Sequence, residues 1–98
     1  MSDTEIKSRS DSRTERPKRF KVVMLNDDFT PMDFVMSVLT SIFQMDMDKA
    51  AQVTMEIHQK GLAVVGAYTF EIAETKITQT MGLARQYELP LTCKLTAE

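Results

Sequence analysis

This 98-residue sequence has few of the residues that many kinds of functional site require. With one cysteine, Cys93, and one histidine, it can form no internal disulfide and lacks the ligands of an ordinary zinc site. Its three glycines are widely spaced and form no glycine-rich phosphate-binding loop. We therefore expect no metal ion and no cofactor. A single cysteine also suits a reducing, cytoplasmic setting.

Long apolar segments and a strong excess of one charge are absent as well. No apolar run is long enough to span a bilayer, and no signal-peptide segment follows Met1, so we expect neither a membrane span nor export. The net charge of −2 gives no general reason to bind nucleic acid or an anionic membrane. We expect a monomeric cytoplasmic protein without nucleic-acid or membrane partners.

The first part of the chain differs in composition from the rest. Residues 1–19 carry six basic and four acidic side chains, and the first sixteen residues have only Met1 and Ile6 as apolar side chains. Such a segment cannot bury enough apolar surface to offset the entropy lost on ordering. We predict a disordered extension over residues 1–18 and one folded domain over residues 19–98.

Periodicity in the remaining sequence predicts a small α+β domain in the order βααβαβ. Strands are predicted at residues 20–25, 62–68 and 91–96, and helices at about 31–43, 46–60 and 70–87. Thr30 is the predicted N-cap of the first helix, with Pro31 at its first position. Gly66 within the second strand predicts a bulge or a close contact. We expect a three-stranded, mainly antiparallel sheet covered on one side by three helices.

The run NDDFTPM, Asn26 to Met32, is the most informative motif in the chain. A primary ammonium group needs three hydrogen-bond acceptors when it leaves water. Asn26 offers a carbonyl oxygen, Asp27 and Asp28 offer carboxylates, and a neutral His58 on the second predicted helix offers a ring nitrogen. Three of these four would satisfy an α-amino group, so the motif indicates a small cation site.

Apolar residues close to these polar groups are suited to hold a hydrophobic side chain beside the ammonium group. Thr54, Ile57 and His58 fall on one face of the second predicted helix. The predicted pocket wall consists of Met24, Thr30, Met32, Val35, Thr54, Ile57 and Leu91. Apolar walls with a few polar anchors are the usual form of a small binding site.

Other interpretations of the same residues remain open from sequence alone. Adjacent Asn and Asp residues before a helix are also ordinary turn chemistry, and a lone histidine on a helix is often a surface residue. An EF-hand calcium loop would need alternating acidic ligands and a central glycine, which are absent. Cys93 lies in a predicted strand, and nothing links it to His58 as a nucleophile. We predict that the protein is not an enzyme.

Four segments together give the sequence a resemblance to a known family. They are VVMLNDDFTPMDFV (22–35), IHQKG (57–61), VGAYTFEIAETK (65–76) and LPLTC (89–93). In order and spacing they resemble the ClpS family, adaptors of the bacterial Clp AAA+ protease that recognise destabilising N-terminal residues. The resemblance covers about Phe20 to Leu95, and its elements NDDxTPM, HxxG and ExAETK are specific in combination.

The resemblance implies a non-enzymatic adaptor for proteins that begin with Leu, Phe, Tyr or Trp. Such an adaptor binds the free α-amino group and the first side chain, and delivers the protein to ClpA, the unfoldase of the ClpAP protease. Asn26, Asp27, Asp28 and His58 match the polar anchors. Among them, Asp28 is expected to contact the ammonium group and Asp27 the following peptide N–H. Met32 matches a gate that excludes β-branched first residues.

The resemblance also implies a surface that docks on the N-terminal domain of ClpA, at Glu71, Glu74 and Lys76. From the residues alone, these three are equally an exposed helix face. The predicted extension matches the segment that the family uses in handing over substrate. An alternative function is a regulatory module that binds the Clp unfoldase and alters its substrate choice without recognising N-termini.

One position departs from the family pattern. The family commonly has a methionine where this chain has Thr54, which is shorter and polar. We expect a pocket of altered shape, with a changed ranking among aromatic and leucine N-termini.

Overall fold

The computed structural model describes residues 17–98, in which the elements follow the predicted order. They are β1 (Arg19–Leu25), α1 (Met32–Ser41), α2 (Met47–Lys60), β2 (Leu62–Thr69), α3 (Phe70–Gln86) and β3 (Thr92–Ala97). The order βααβαβ is confirmed, and every boundary lies within two residues of its prediction. Apart from Pro17 and Lys18, the predicted disordered extension lies outside the described residues.

β1 is the central strand of a three-stranded sheet with the order β2-β1-β3. Both neighbours pair with it antiparallel, so Met24 lies opposite Ala63 on one side and Cys93 on the other. The predicted antiparallel sheet is therefore confirmed. Because the central strand ends at Leu25, the polar motif that starts at Asn26 extends from the most protected part of the sheet.

One face of the sheet packs against the helices and forms the core. Val22 and Met24 are fully buried on this face, and Ala63, Val65 and Cys93 join them from the outer strands. The helices contribute Val35, Val38, Leu39, Ala50, Val53, Ile57, Ala73 and Ala84. Burying one large apolar side chain stabilises the fold by about 1.5–3 kcal/mol. In residues 17–98, none of the helices is both long and apolar enough to cross a membrane.

β2 contains the irregularity that its glycine predicts. The pairing of β1 with β2 shifts between Val22 and Val23, so that Val22 lies opposite Gly66 and Val23 lies opposite Val64. A Cβ atom on Gly66 would overlap the ring of Tyr68. Both the bulge and the close contact are therefore present, and a larger residue at position 66 would displace Tyr68.

The start of α1 differs from the prediction. The helix begins at Met32 with Pro31 in the N-cap position, and no side chain caps it. Thr30, the predicted cap, instead donates its hydroxyl hydrogen to Asp27 Oδ2, with an O–O distance of 2.7 Å. Because Pro31 occupies the N-cap position and no helix N–H is bonded to the Thr30 hydroxyl, the prediction of Thr30 as N-cap was wrong.

α2 has the boundaries that its end residues predict, and its C-terminal end is joined to the polar motif. The Asp46 carboxylate accepts a hydrogen bond from the Lys49 N–H at 2.8 Å and caps the helix. Gly61 ends the helix with a φ of 89°, a conformation that favours glycine. The Gly61 carbonyl then accepts a hydrogen bond from the Asn26 N–H at 2.9 Å. This bond brings the loop after β1 beside the last turn of α2.

α3 holds the C-terminal end of α1, which has no basic residue in its own last turn. Lys76 Nζ donates a hydrogen bond to the Ile42 carbonyl oxygen at 2.7 Å. It also lies 5.8 Å and 5.3 Å from the ring centroids of Phe43 and Tyr68. A cation stabilises the negative end of a helix dipole and is attracted by aromatic faces. Lys76 therefore stabilises the packing of α3 against the C-terminal end of α1.

Candidate functional site

The turn that carries the polar motif is closed by Asp27. Its Oδ1 accepts hydrogen bonds from the N–H groups of Phe29 at 2.8 Å and Thr30 at 2.7 Å, while Oδ2 accepts from the Thr30 hydroxyl. Asp and Asn side chains often close turns in this way, because they bond to the backbone two or three residues later. Asp27 therefore shapes the loop, and three of its acceptor positions are occupied.

The same contacts keep Asp27 ionised. Partial burial raises the pKa of its carboxyl group. Hydrogen bonds from the Thr30 hydroxyl and from the N–H groups of Phe29 and Thr30 together outweigh this effect and hold the pKa below its ordinary value. The loop therefore carries a fixed negative charge at neutral pH.

The turn, the start of α1 and the last turns of α2 form a cavity of about 310 Å³. Its lining consists of Asn26, Asp27, Asp28, Thr30, Pro31, Met32, Val35, Thr54, Ile57 and His58. All four predicted polar anchors and five of the seven predicted wall residues thus meet in one place. They come from two distant parts of the chain, which the hydrogen bond between Asn26 and Gly61 holds together.

The lining changes from exposed polar groups to buried, mostly apolar ones. Asn26, Asp28 and His58 are exposed, whereas Val35 and Ile57 are 6% and 2% exposed. Met32 is 42% exposed, so its side chain is only partly packed. A ligand with a positively charged end and an apolar end fits this arrangement, because the charge stays near water while the apolar part leaves it.

Asp28 differs from its neighbour Asp27. Its side chain is exposed, and within residues 17–98 no hydrogen bond or ion pair engages its carboxylate. An ionised carboxylate with free acceptor positions forms strong, charge-assisted hydrogen bonds with an ammonium group. Asp28 is therefore the carboxylate of the motif whose acceptor positions are available to a cationic ligand.

The described residues suit an ammonium group better than a metal ion or a nucleophilic reaction. Among residues 17–98, no three His, Cys, Asp or Glu side chains lie close enough together to hold a metal ion. Burial raises the pKa of the Cys93 thiol to about 12, so the thiol is protonated at neutral pH and its nucleophilicity is low. An ammonium group, in contrast, can use Asn26, Asp28 and His58 as acceptors.

Comparisons with known proteins identify the family of this chain. The model of a family described as "ATP-dependent Clp protease adaptor protein ClpS" matches residues 15–94. The ClpS adapter protein of Zymomonas mobilis is 43% identical over 94 residues, which are 96% of this chain and 88% of that protein. ClpS 2 of Rhodopseudomonas palustris is 46% identical over 90 residues, which are 92% of this chain and 83% of that protein. The chain belongs to the ClpS family.

A solved ClpS structure has the same fold. Agrobacterium tumefaciens ClpS2, bound to L-phenylalaninamide, matches with a TM-score of 0.81 and 41% sequence identity. The match covers 85% of this chain and all of that chain. The α+β fold predicted from the sequence is therefore confirmed as the ClpS fold.

Two of the wall residues predicted for this ClpS chain lie outside the cavity lining, and one lining residue was not predicted. Met24 is fully buried beneath the loop, because it alternates onto the same face of β1 as Val22. Leu91 is buried before β3 and lines a different groove of about 690 Å³, together with Phe29. Pro31 lines the cavity, although a proline at this position signals only a helix start in the sequence.

The residues predicted to dock on the Clp unfoldase lie on α3, and none of them lines the cavity. Glu71 and Glu74 are exposed, whereas Lys76 is partly buried and bonded to Ile42. Ile72 lies between them in the sequence and is 50% exposed, which makes it the apolar member of this surface.

Proposed function

We propose that this ClpS-family chain is a non-enzymatic adaptor. It binds proteins through a free, hydrophobic N-terminal residue and delivers them to the ClpA unfoldase of the ClpAP protease. One observation carries the proposal: the carboxylate of Asp28, which no other residue in 17–98 engages, lies with Asn26 and His58 at a cavity whose buried wall includes Val35 and Ile57. A free α-amino group beside a large apolar side chain has the complementary arrangement.

The size of the cavity supports the proposed class of ligand. An apolar cavity of about 150 Å³ is large enough to bind benzene. The cavity here is about 310 Å³, which leaves room for an aromatic side chain and the α-amino group together. The related ClpS2 of A. tumefaciens binds L-phenylalaninamide, which has both groups. We infer that Leu, Phe, Tyr and Trp are the accepted first residues.

The polar anchors have different proposed roles. Asp28 forms a charge-assisted hydrogen bond with the α-ammonium group, and Asn26 and His58 supply the other two acceptors. Asp27 holds the turn. Because Oδ1 already accepts two hydrogen bonds and Oδ2 accepts one, Asp27 has a single acceptor position left for the next peptide N–H.

Met32 is proposed to exclude β-branched first residues. Its partly packed side chain belongs to the first turn of α1 and lines the cavity. A branch at Cβ widens and stiffens the ligand close to the α-amino group, where the side chain enters the cavity. Val and Ile at the first position would therefore collide with Met32, whereas Leu and Phe branch further out.

Delivery is proposed to use the surface of α3. Glu71 and Glu74 present an exposed acidic pair to the N-terminal domain of ClpA. Lys76 supports this pair indirectly, because its hydrogen bond to the Ile42 carbonyl holds α3 against the C-terminal end of α1. The N-terminal extension is proposed to take part in passing the substrate to the unfoldase. The chain is proposed to act as a monomer in the cytoplasm.

A peptide titration tests the binding step. We expect a fluorescent peptide that begins with Phe to bind, and its N-acetylated twin and a Val-initial twin to bind at least roughly tenfold more weakly. Acetylation removes the charge and two of the three donors. Asp28→Asn should weaken binding of the Phe peptide by roughly tenfold or more. Asp33→Asn, a matched change on α1 that does not line the cavity, should leave binding unchanged.

Two outcomes would contradict the proposal in different ways. Equal affinity for the acetylated and free peptides would remove the α-amino group from the recognition mechanism. Failure of every peptide to bind would leave a regulatory module that docks on the unfoldase as the remaining function, and the NDD turn would then be structural.

A further inference from the structure

Thr54 has a buried hydroxyl group whose hydrogen bonding is unsatisfied. Within residues 17–98, its Oγ1 is the only buried side-chain nitrogen or oxygen without a hydrogen-bond partner. The residue is 3% exposed and forms part of the cavity wall. A buried hydroxyl without a partner is unfavourable. A natural protein that retains one therefore either uses it for a function or pairs it with a ligand when that ligand binds.

Other threonines in the same fold show how this cost is usually avoided. Thr80 on α3 is fully buried and donates its hydroxyl hydrogen to the Lys76 carbonyl, four residues earlier, at 2.8 Å. Thr75, which is exposed, makes the same kind of bond to the Glu71 carbonyl at 2.9 Å. Thr54 lies in the middle of α2 and makes no such bond, although a carbonyl is available four residues before it. Its hydroxyl therefore has no partner among the described residues, and rotation of the Thr54 side chain would turn it into the cavity that the residue lines.

The position of Thr54 along α2 determines which part of a ligand it meets. His58 and Thr54 are one helical turn apart, about 6 Å along the helix axis. His58 is exposed and Thr54 is buried, so α2 leads from the polar rim into the interior of the cavity. A ligand whose α-amino group is held at the rim would extend its first side chain towards Thr54. A phenol ring has the reach to bring its hydroxyl there.

We infer that Thr54 makes this cavity selective for tyrosine over phenylalanine at the first position of the bound protein. The inference rests on the proposed function and specifies its preferred substrate. A phenol hydroxyl both donates and accepts, so it pairs with Thr54 whichever way the threonine hydroxyl turns. Phenylalanine presents the same ring but leaves Thr54 unpartnered. One neutral hydrogen bond corresponds to roughly three- to tenfold tighter binding of tyrosine.

The test compares two peptides that differ only in Tyr or Phe at the first residue, titrated against the full chain and two variants. Thr54→Val has nearly the same shape and no hydroxyl group. In the unchanged chain, the Tyr peptide should bind roughly three- to tenfold more tightly. In Thr54→Val, this ratio should fall to about one or below. Thr54→Ser keeps the hydroxyl and should keep the preference.

The outcomes separate this inference from the proposed function. If both peptides bind through their free amine and Thr54→Val leaves the Tyr-to-Phe ratio unchanged, the selectivity inference is overturned and the adaptor proposal stands. If neither peptide binds, or acetylated twins bind equally well, the proposed function fails and the inference fails with it. Thermal unfolding of each variant shows whether it is folded, and a purely structural Thr54 would change stability without changing the ratio.

Discussion

Asp27 and Asp28 have identical side chains and adjacent positions, yet their surroundings give them different tasks. Asp27 accepts three hydrogen bonds from its own turn, whereas within the described residues Asp28 accepts none. One carboxylate therefore fixes the loop, and the other is the one that we propose contacts the ligand. The sequence predicts that both belong to the site, but it does not predict this division, because either residue could have closed the turn.

At this scale we predict that Asp27 contributes to stability in a pH-dependent way. Asp27→Asn should lower the free energy of unfolding by about 1 kcal/mol near pH 7, because the amide carries no charge and provides fewer acceptor positions. The ordinary pKa of 3.8 is lowered in the folded protein, so the ionised form favours folding. This contribution is fully present above about pH 5 and is lost as the pH falls through the folded-state pKa.

Urea unfolding at pH 7, 5 and 3 measures this effect. The difference between the unchanged chain and Asp27→Asn should shrink between pH 5 and pH 3. Asp28→Asn serves as the matched control and should leave the free energy of unfolding nearly unchanged at each pH. A difference for Asp27→Asn that stays constant down to pH 3 would show that its charge has no part in holding the turn.

Individual residues were predictable where a short motif encodes both local structure and chemistry. The types and spacing of Asn26, Asp28 and His58 predict that they lie together, and all three line the same cavity. Met24 was placed in the wall because it is near the motif in sequence, but strand alternation turns it into the core with Val22. The missing partner of Thr54 could not be predicted, since it depends on the orientation of one hydroxyl group.

At the scale of elements, α1 depends on its neighbours at both ends. With ten residues and no capping side chain, it is shorter than helices that are stable alone in water. Its N-terminal end follows the turn closed by Asp27. At its C-terminal end, the Ile42 carbonyl accepts a hydrogen bond from Lys76 of α3. The helix that carries Met32 and Val35 is therefore held in place by packing and by contacts distant in sequence.

We predict that Lys76 stabilises the fold more than other lysines do. Lys76→Met should lower the free energy of unfolding by about 1–2 kcal/mol, because it removes the hydrogen bond to Ile42 and the attraction of the two rings. Lys49→Met, on the exposed side of α2, should change it by less than about 0.5 kcal/mol. Chemical denaturation of both variants is the measurement. Equally small changes in the free energy of unfolding for both variants would mean that Lys76 belongs mainly to the exposed surface of α3 and contributes little to stability.

Element boundaries were predictable where one side chain has one local task. Asp46 caps α2 and Gly61 ends it, and each has no competing local contact. Thr30 was predicted wrongly because its hydroxyl group has two possible partners, the Asp27 carboxylate and the backbone N–H groups at the start of the helix. As an N-cap, Thr30 would accept a hydrogen bond from a helix N–H, whereas here its hydroxyl donates a charge-assisted hydrogen bond to the Asp27 carboxylate and the helix begins one residue later. Such competition is settled by loop geometry, which the sequence pattern does not give.

For the molecule as a whole, the cavity and the α3 surface are separate. The cavity is lined by the loop after β1 and by parts of α1 and α2, whereas Glu71, Ile72 and Glu74 belong to α3. No residue belongs to both. A protein that holds a substrate and docks on an unfoldase at the same time requires such a separation.

We predict that the two activities can be lost independently. Reversing both charges, with Glu71→Lys and Glu74→Lys, should weaken binding to the N-terminal domain of ClpA by roughly tenfold or more while leaving binding of the Phe peptide unchanged. Asp48→Lys with Glu98→Lys makes the same change in net charge elsewhere on the exposed surface and should affect neither. Loss of peptide binding in the first pair, with the fold intact, would contradict the separation.

The hydrogen bond between Asn26 and Gly61 also has a consequence for measurement. The proposed acceptors for a ligand come from chain segments on either side of this bond, so the proposed binding site exists only while the molecule is folded. A ligand that needs both segments binds the native state alone, and at a hundred times its dissociation constant it adds about 2.7 kcal/mol to stability. For a small domain of this kind, the fraction of peptide bound therefore also reports the fraction of molecules that are folded. Saturating peptide should raise the melting temperature of even a weakened variant.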